Sequence, residues 1–362
     1  MKNILKTLIV MLSSVSLFAS AAMAGELGVS GTAKASYNIT SGYSNASKGL
    51  GITNELNFTA SGELDNGYTW SYSMELDPGA TSPSTETSTG DTQSAQNDDA
   101  KMTLTTPYGT VGVFISEGGL DLEDAASQSV YARPTDIGDP SGTSDNFTID
   151  SYNNVQYHTP GDLLPFGTSF KIAYATDLSD TSAGSSGNNK GDVSTHASDF
   201  VGENATEYQI KAAPIDGLAV GASYFDFSGE GVTKNDQEAE SGAYYATYAS
   251  GPVSVGYSKA YKAVLLSDAI GLTTATTVSD YDQTNVSIAF AASDDLSVSY
   301  ERETSEANRI DDTSTEQEST SVQVAYTMGG MTLAVAHSSH DNNGYVVGAN
   351  TDQTVLAVTM AF

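Results

Sequence analysis

Two-residue alternation of apolar and polar side chains recurs along most of the chain, and no window sustains a helical period. In "YTWSYSMEL", Tyr68, Trp70, Tyr72, Met74 and Leu76 share one face, while Thr69, Ser71, Ser73 and Glu75 take the other. "NELNFTASGEL" sets Leu56, Phe58 and Ala60 against Glu55, Asn57, Thr59 and Ser61. "TNVSIAF" and "SVQVAYTM" repeat the pattern with Val286, Ile288, Phe290 and with Val322, Val324, Tyr326. The final stretch, "QTVLAVTMAF", sets Leu356, Val358, Met360 and Phe362 against Val355, Ala357, Thr359 and Ala361. Each segment reads as a strand with two unlike faces.

The connections alternate too. Short Gly, Pro and Asp turns fall at Asp65-Asn66-Gly67, Tyr108-Gly109, Pro160 to Gly167, Pro214 to Gly217, Gly251-Pro252, Ser293 to Asp295 and Gly329-Gly330. Between them lie long polar segments at roughly 41–53, 77–99, 117–149, 178–205, 229–240, 263–280, 305–317 and 341–352. The repeating unit is strand, short turn, strand, long loop, and it yields about sixteen strands. A propeller would need four strands per blade and a recurring blade motif, and neither is present. The expectation is an all-β fold: a closed antiparallel transmembrane barrel with short periplasmic turns and long extracellular loops. Closure is compulsory in lipid, where an unpaired backbone group costs several kcal/mol. The segment "ELGVSGTAKASYNI" is therefore expected to pair with "QTVLAVTMAF".

Composition narrows the setting. Residues 1–24 carry Lys2 and Lys6, an apolar run to Phe18 and an Ala22-Met23-Ala24 cleavage pattern, so they read as a signal peptide removed before Gly25. The expected barrel domain is then 25–362. No later apolar run has the length of a spanning helix, and there is no cysteine. The formal charge of −31 argues against nucleic acid as a partner.

Taken together, the leader, the hairpin repeat, the long third loop and the closing Leu356, Val358, Met360 and Phe362 resemble the general porins of Gram-negative bacteria, in the alphaproteobacterial style. The resemblance covers the whole chain after the leader. It implies an outer-membrane homotrimer that passes ions and small hydrophilic solutes passively. It also implies that the closing segment is read by the barrel-assembly machinery, and that loop 117–149 folds into the barrel and narrows it. The Pro-Glu-Phe-Gly-Gly signature of the enteric porins is absent from this loop.

If apolar alternates face lipid, polar alternates face the lumen. Lys34, Lys101, Lys171 and Lys211 then form a basic wall. Opposite them the third loop would offer Glu117, Asp121, Glu123, Asp124, Asp136, Asp139 and Asp145, with Arg133 as its only base. Facing charges of this kind make a transverse field, and the acidic excess predicts cation preference. Small outward residues on the first two strands, Gly31, Ala33, Ala35, Ala60 and Gly62, suit contact with a neighbouring barrel.

Other chemistry is weak. His337 and His340 are three apart, which puts them on opposite faces of a strand, so no metal site is expected there. "QNDDA" and "RIDD" could hold calcium, but they lack EF-hand spacing and suit solvated loops better. No cofactor is expected. No G-x-S-x-G elbow occurs, so an enzyme is not expected. The competing expectations are a substrate-selective channel and a secreted all-β adhesin. A selective sugar channel would line its lumen with aromatics, and only Phe114, Phe225 and Tyr245 take the inward phase.

Overall fold

The computed structural model describes residues 26–43, 47–77, 96–138, 145–176, 204–228, 237–264, 266 and 277–362. The signal-peptide reading of 1–24 lies outside these residues, as does Asp139.

Sixteen antiparallel strands close into one barrel, each bonded to its neighbour in sequence and the last to the first. In order they are β1 (Glu26–Gly42), β2 (Ser47–Glu63), β3 (Thr69–Asp77), β4 (Gln96–Thr106), β5 (Gly109–Ile115), β6 (Asn154–His158), β7 (Ser169–Ala175) and β8 (Asn204–Ile215). The second half comprises β9 (Leu218–Ser228), β10 (Glu240–Ser250), β11 (Val253–Ala263), β12 (Val278–Ala291), β13 (Leu296–Arg309), β14 (Ser314–Met328), β15 (Met331–Asp341) and β16 (Thr351–Ala361). The expected strand number and the closing pair agree with this, and so does most of the short-turn and long-loop alternation. Two of the expected long loops are instead largely strand. β1 runs to Gly42 and β2 restarts at Ser47, while β13 runs to Arg309 and β14 restarts at Ser314. The β13–β14 ends are almost wholly polar and carry no alternation, whereas at β1–β2 the exposed Leu50 and Ile52 alternate with Gly49 and Gly51; both ends pair through their backbones. At the second tip Asp312 takes φ +61°, and the Arg309 N–H donates to the Thr313 carbonyl at 2.9 Å.

The faces are inside-out relative to a protein that folds in water. On β14, Val322 is 59% exposed and Gln323 is fully buried. On β16, Leu356 is 55% exposed while Val355 and Ala357 point inward and are buried. Buried polar groups with partners, facing an apolar exterior, suit a lipid solvent. A sandwich adhesin would bury the apolar phase instead.

The seam closes on an aromatic ring. Gly31 and Phe362 exchange both backbone hydrogen bonds, at 2.8 and 3.0 Å. A Cβ built on Gly31 would lie 2.9 Å from the Phe362 ring, so this ring covers the glycine from outside. Gly62 and Trp70 repeat the device, with the indole 2.8 Å from a built Cβ. Two of the small outward positions read above as contact surface are thus filled by the chain's own aromatics.

Candidate functional site

The described parts of the connection between β5 and β6, 116–138 and 145–153, enter the barrel and follow its inner wall. They carry three short 3-10 turns at Glu123–Ala126, Pro134–Asp136 and Ile149–Ser151. No periodicity holds this path; the wall does.

At β8 the Glu207 carboxylate accepts the N–H groups of Leu120 (3.2 Å) and Ile149 (2.9 Å), and the Gln209 amide donates to the Leu120 carbonyl at 2.8 Å. At β11 and β12, the Ser258 and Ser287 hydroxyls donate to the carbonyls of Glu123 and Ala126, both at 2.6 Å. At β13, Glu301 accepts the Ser127 and Ser129 hydroxyls at 2.6 and 2.5 Å, and the Asn285 amide also donates to it. Glu303 accepts the N–H and hydroxyl of Thr135 at 3.1 and 2.7 Å. At β14 the Gln323 side-chain oxygen accepts the Tyr131 N–H at 2.9 Å. At β15, Ser338 donates to the Pro134 carbonyl at 3.1 Å, and the His340 Nε2–H donates to the Ile137 carbonyl at 2.7 Å.

Apolar packing reinforces these bonds. Leu120, Phe147, Ile149 and Tyr152 pack on Phe225 and Phe227; Leu122 and Ala126 pack on Tyr245 and Ala260; Ile137 packs on Ala334, Ala336, Val355 and Ala357. Phe225, Tyr245 and Phe114 do point inward, but Phe225 and Tyr245 seat the loop rather than line the passage. The loop backbone comes closest at Gly256 of β11, where a built Cβ would lie 1.8 Å from the Ala126 carbonyl oxygen. A glycine within a strand often marks such a close approach of another backbone.

The loop thus follows the wall from β6 round to β16 and leaves the rest of the lumen open. All four expected wall lysines point into it. Lys34 lies 5.9 Å from the centroid of the Tyr131 ring in the loop. Lys101 forms an ion pair with Glu117. Lys171 stands directly across from Gln209 on β8, whose amide bonds the loop, and Lys211 follows two residues after Gln209 on the same face.

The loop charges are less uniform than their sequence suggests. Asp124 and Asp136 keep open side chains, 45% and 52% exposed. Glu117 does not face the lysines across the lumen: it is spent on Lys101 at the loop's own root. Glu123 does not face the lumen either. It is 6% exposed, trapped between loop and wall, and accepts the Asn146 N–H at 2.7 Å. Burial, with Asp145 and Asp121 close by, pushes its pKa up to about 8. Burial also raises Asp121 and Asp150. Arg133 pairs with Asp124, Asp136 and the wall residue Glu303. Burial works against its charge, but the Glu303 and Asp136 carboxylates outweigh that and raise its pKa. A cavity of about 30 Å³ lies among Glu123, Arg133, Asp145, Asn285 and Glu303, room for one water.

Several residues of the site escaped sequence reading. Glu207, Glu301, Glu303 and Gln323 anchor the loop. Lys262 donates to the Asp145 carbonyl at 2.6 Å and lies 4.5 Å from the Phe147 ring centroid. Their inward phase was legible in "SYERETSE" and "SKAYKA", but their partners were not. Elsewhere, His337 and His340 do face opposite sides: His340 is buried against the loop and His337 is exposed. In "RIDD", Asp311 accepts the Thr313 hydroxyl at 2.5 Å within its hairpin tip.

Comparison with known proteins agrees with this geometry. The chain is similar to OmpF of Salmonella typhi, solved with daunomycin, at 15% identity and a TM-score of 0.63, over 93% of this chain and 98% of that one. A mutant of the Rh. blastica porin aligns at 14% identity and a TM-score of 0.57, over 93% of this chain and all of the other. In-vitro folded OmpT of Vibrio cholerae, in its trimer form, aligns at 12% identity and a TM-score of 0.61, over 94% and 100%. Among curated proteins none matches the chain by sequence. The family model for Gram-negative porins matches residues 11–314. With this match spanning most of the chain, and a closed sixteen-stranded barrel that carries a loop in its lumen, the chain belongs to the Gram-negative porins, outer-membrane channels for passive diffusion.

Proposed function

We propose that this porin prefers cations, and that the open carboxylates of its third loop set the preference. The supporting observation is how the lumen's charges are spent. Lys101 is matched by Glu117, and Arg133 is surrounded by Asp124, Asp136 and Glu303. Asp124 and Asp136 nevertheless keep about half of their side-chain surface open. Lys34, Lys171 and Lys211 stand on the wall without an ion pair to these carboxylates, whose partner is Arg133, so the opposed charges orient small dipolar solutes as they pass. Reversal potentials in planar bilayers under a potassium chloride gradient test the reading, and clear anion selectivity would refute it. Neutralising Lys34 and Lys171 together strengthens cation preference; an unchanged potential would mean that both lie away from the narrowest point.

The same reading includes a leader at 1–24 removed on export, recognition of Leu356, Val358, Met360 and Phe362 by the barrel-assembly machinery, and a homotrimer. The trimer is supported by an outer apolar groove of about 730 Å³ across the seam, lined by Ala35, Tyr37, Ile52, Leu333, Val335 and Leu356. The trimer form of the Vibrio cholerae OmpT structure supports it as well.

A further inference from the structure

The turn joining β6 to β7 differs from the other six short turns. It takes ten residues, 159–168, where the others take two to five. Its sequence, "TPGDLLPFGT", is apolar at its centre. Leu163 is 61% exposed, Leu164 38% and Phe166 64%.

The turn is also built rather than loose. The Thr168 hydroxyl donates to the Pro165 carbonyl at 2.6 Å, and the Thr159 N–H donates to the Phe170 carbonyl at 2.9 Å. Phe166 sits at φ +61°, a left-handed conformation that a bulky side chain rarely adopts. A strained backbone that displays an aromatic ring to the outside has no account in the barrel itself.

What covers the ring follows from its neighbours. Directly above the turn, the outward faces of β7 and β8 carry Phe170, Tyr174, Tyr208 and Ile210, part of the lipid-facing band. The turn continues that band past the end of the strands. Asp162 is its only charged residue.

We propose that the 159–168 turn is a membrane-seating element. It buries Leu163, Leu164 and Phe166 at the boundary between headgroups and acyl chains of the leaflet on the short-turn side. Its partner is phospholipid, held by apolar contact and not by headgroup charge.

The chain's single tryptophan makes the test clean. In a Trp70→Phe background, Phe166→Trp and, separately, Leu163→Trp are reconstituted into protein-free phosphatidylcholine vesicles with brominated acyl chains. Folding is checked by heat-modifiable gel migration. The expected result is blue-shifted indole emission that is quenched severalfold by shallow bromines, shielded from acrylamide and unchanged at high salt. Free quenching by acrylamide with no bromolipid effect in both variants would overturn the proposal and leave the turn exposed for a protein partner. Because the readout is optical, it stands or falls independently of ion selectivity.

Discussion

Gly256→Ala tests whether the loop's seat sets the width of the passage. The added Cβ would stand 1.8 Å from the Ala126 carbonyl oxygen, 2.8 Å from its carbon and 2.7 Å from the Ser287 hydroxyl. Ordinary contact needs about 3.3 Å or more, so the loop backbone must retreat from β11 by roughly 1.5 Å. β11 is hydrogen-bonded on both sides and cannot yield, whereas the loop has open lumen behind it. The move stretches the 2.6 Å bond from Ser287 and the 2.6 Å bond from Ser258, each worth about 1 kcal/mol, and overpacking adds about 1–3 kcal/mol. Barrel closure does not depend on any of these contacts. Single-channel conductance in planar bilayers is expected to fall and grow noisier, more so for Gly256→Val, with gel migration of the folded barrel unchanged. Wild-type conductance from a correctly folded Gly256→Ala protein would refute the reasoning.

Four further outcomes are expected. Phe362→Ala uncovers Gly31 at the seam and removes the ring proposed to be read in assembly, so the yield of folded barrel drops severalfold while the conductance of what inserts stays normal; unimpaired insertion counts against this. Glu301→Ala leaves Ser127 and Ser129 without their shared acceptor, loosening the loop by about 3 kcal/mol, and open-channel noise should rise accordingly. Glu123 has a folded pKa near 8, well above the ordinary carboxyl value, so the folded state holds more protons in between. Loop seating should weaken as pH rises from about 5 to 8, and Glu123→Gln should flatten that dependence of current noise; a retained pH dependence would point to another group. Finally, Ala33→Cys should cross-link between subunits if the seam forms the trimer contact, and a purely monomeric product under oxidation would argue otherwise.

The alternation alone determined the strands, their inward and outward phases and the closing pair of β1 and β16. The reason is local: a period of two on a sheet with unlike solvents on its faces leaves each residue only one consistent face. It failed at the tip of β13–β14, where polar residues on both sides erase the period, and at the tip of β1–β2, where Gly42, Gly49 and Gly51 read as a loop beside the apolar Leu50 and Ile52, although the backbones still pair at both. The third loop was legible as long, acidic and aperiodic, but its path was not. Its anchors are single residues on strands far along the chain, such as Glu207, Glu301, Gln323 and the bare backbone at Gly256, and only closing the barrel brings them to one inner surface. That is why Glu117 and Glu123 read as pore charges: composition counts carboxylates, while tertiary packing decides which are spent on a neighbouring lysine, which are sealed against the wall, and which, like Asp124 and Asp136, remain open to a passing ion.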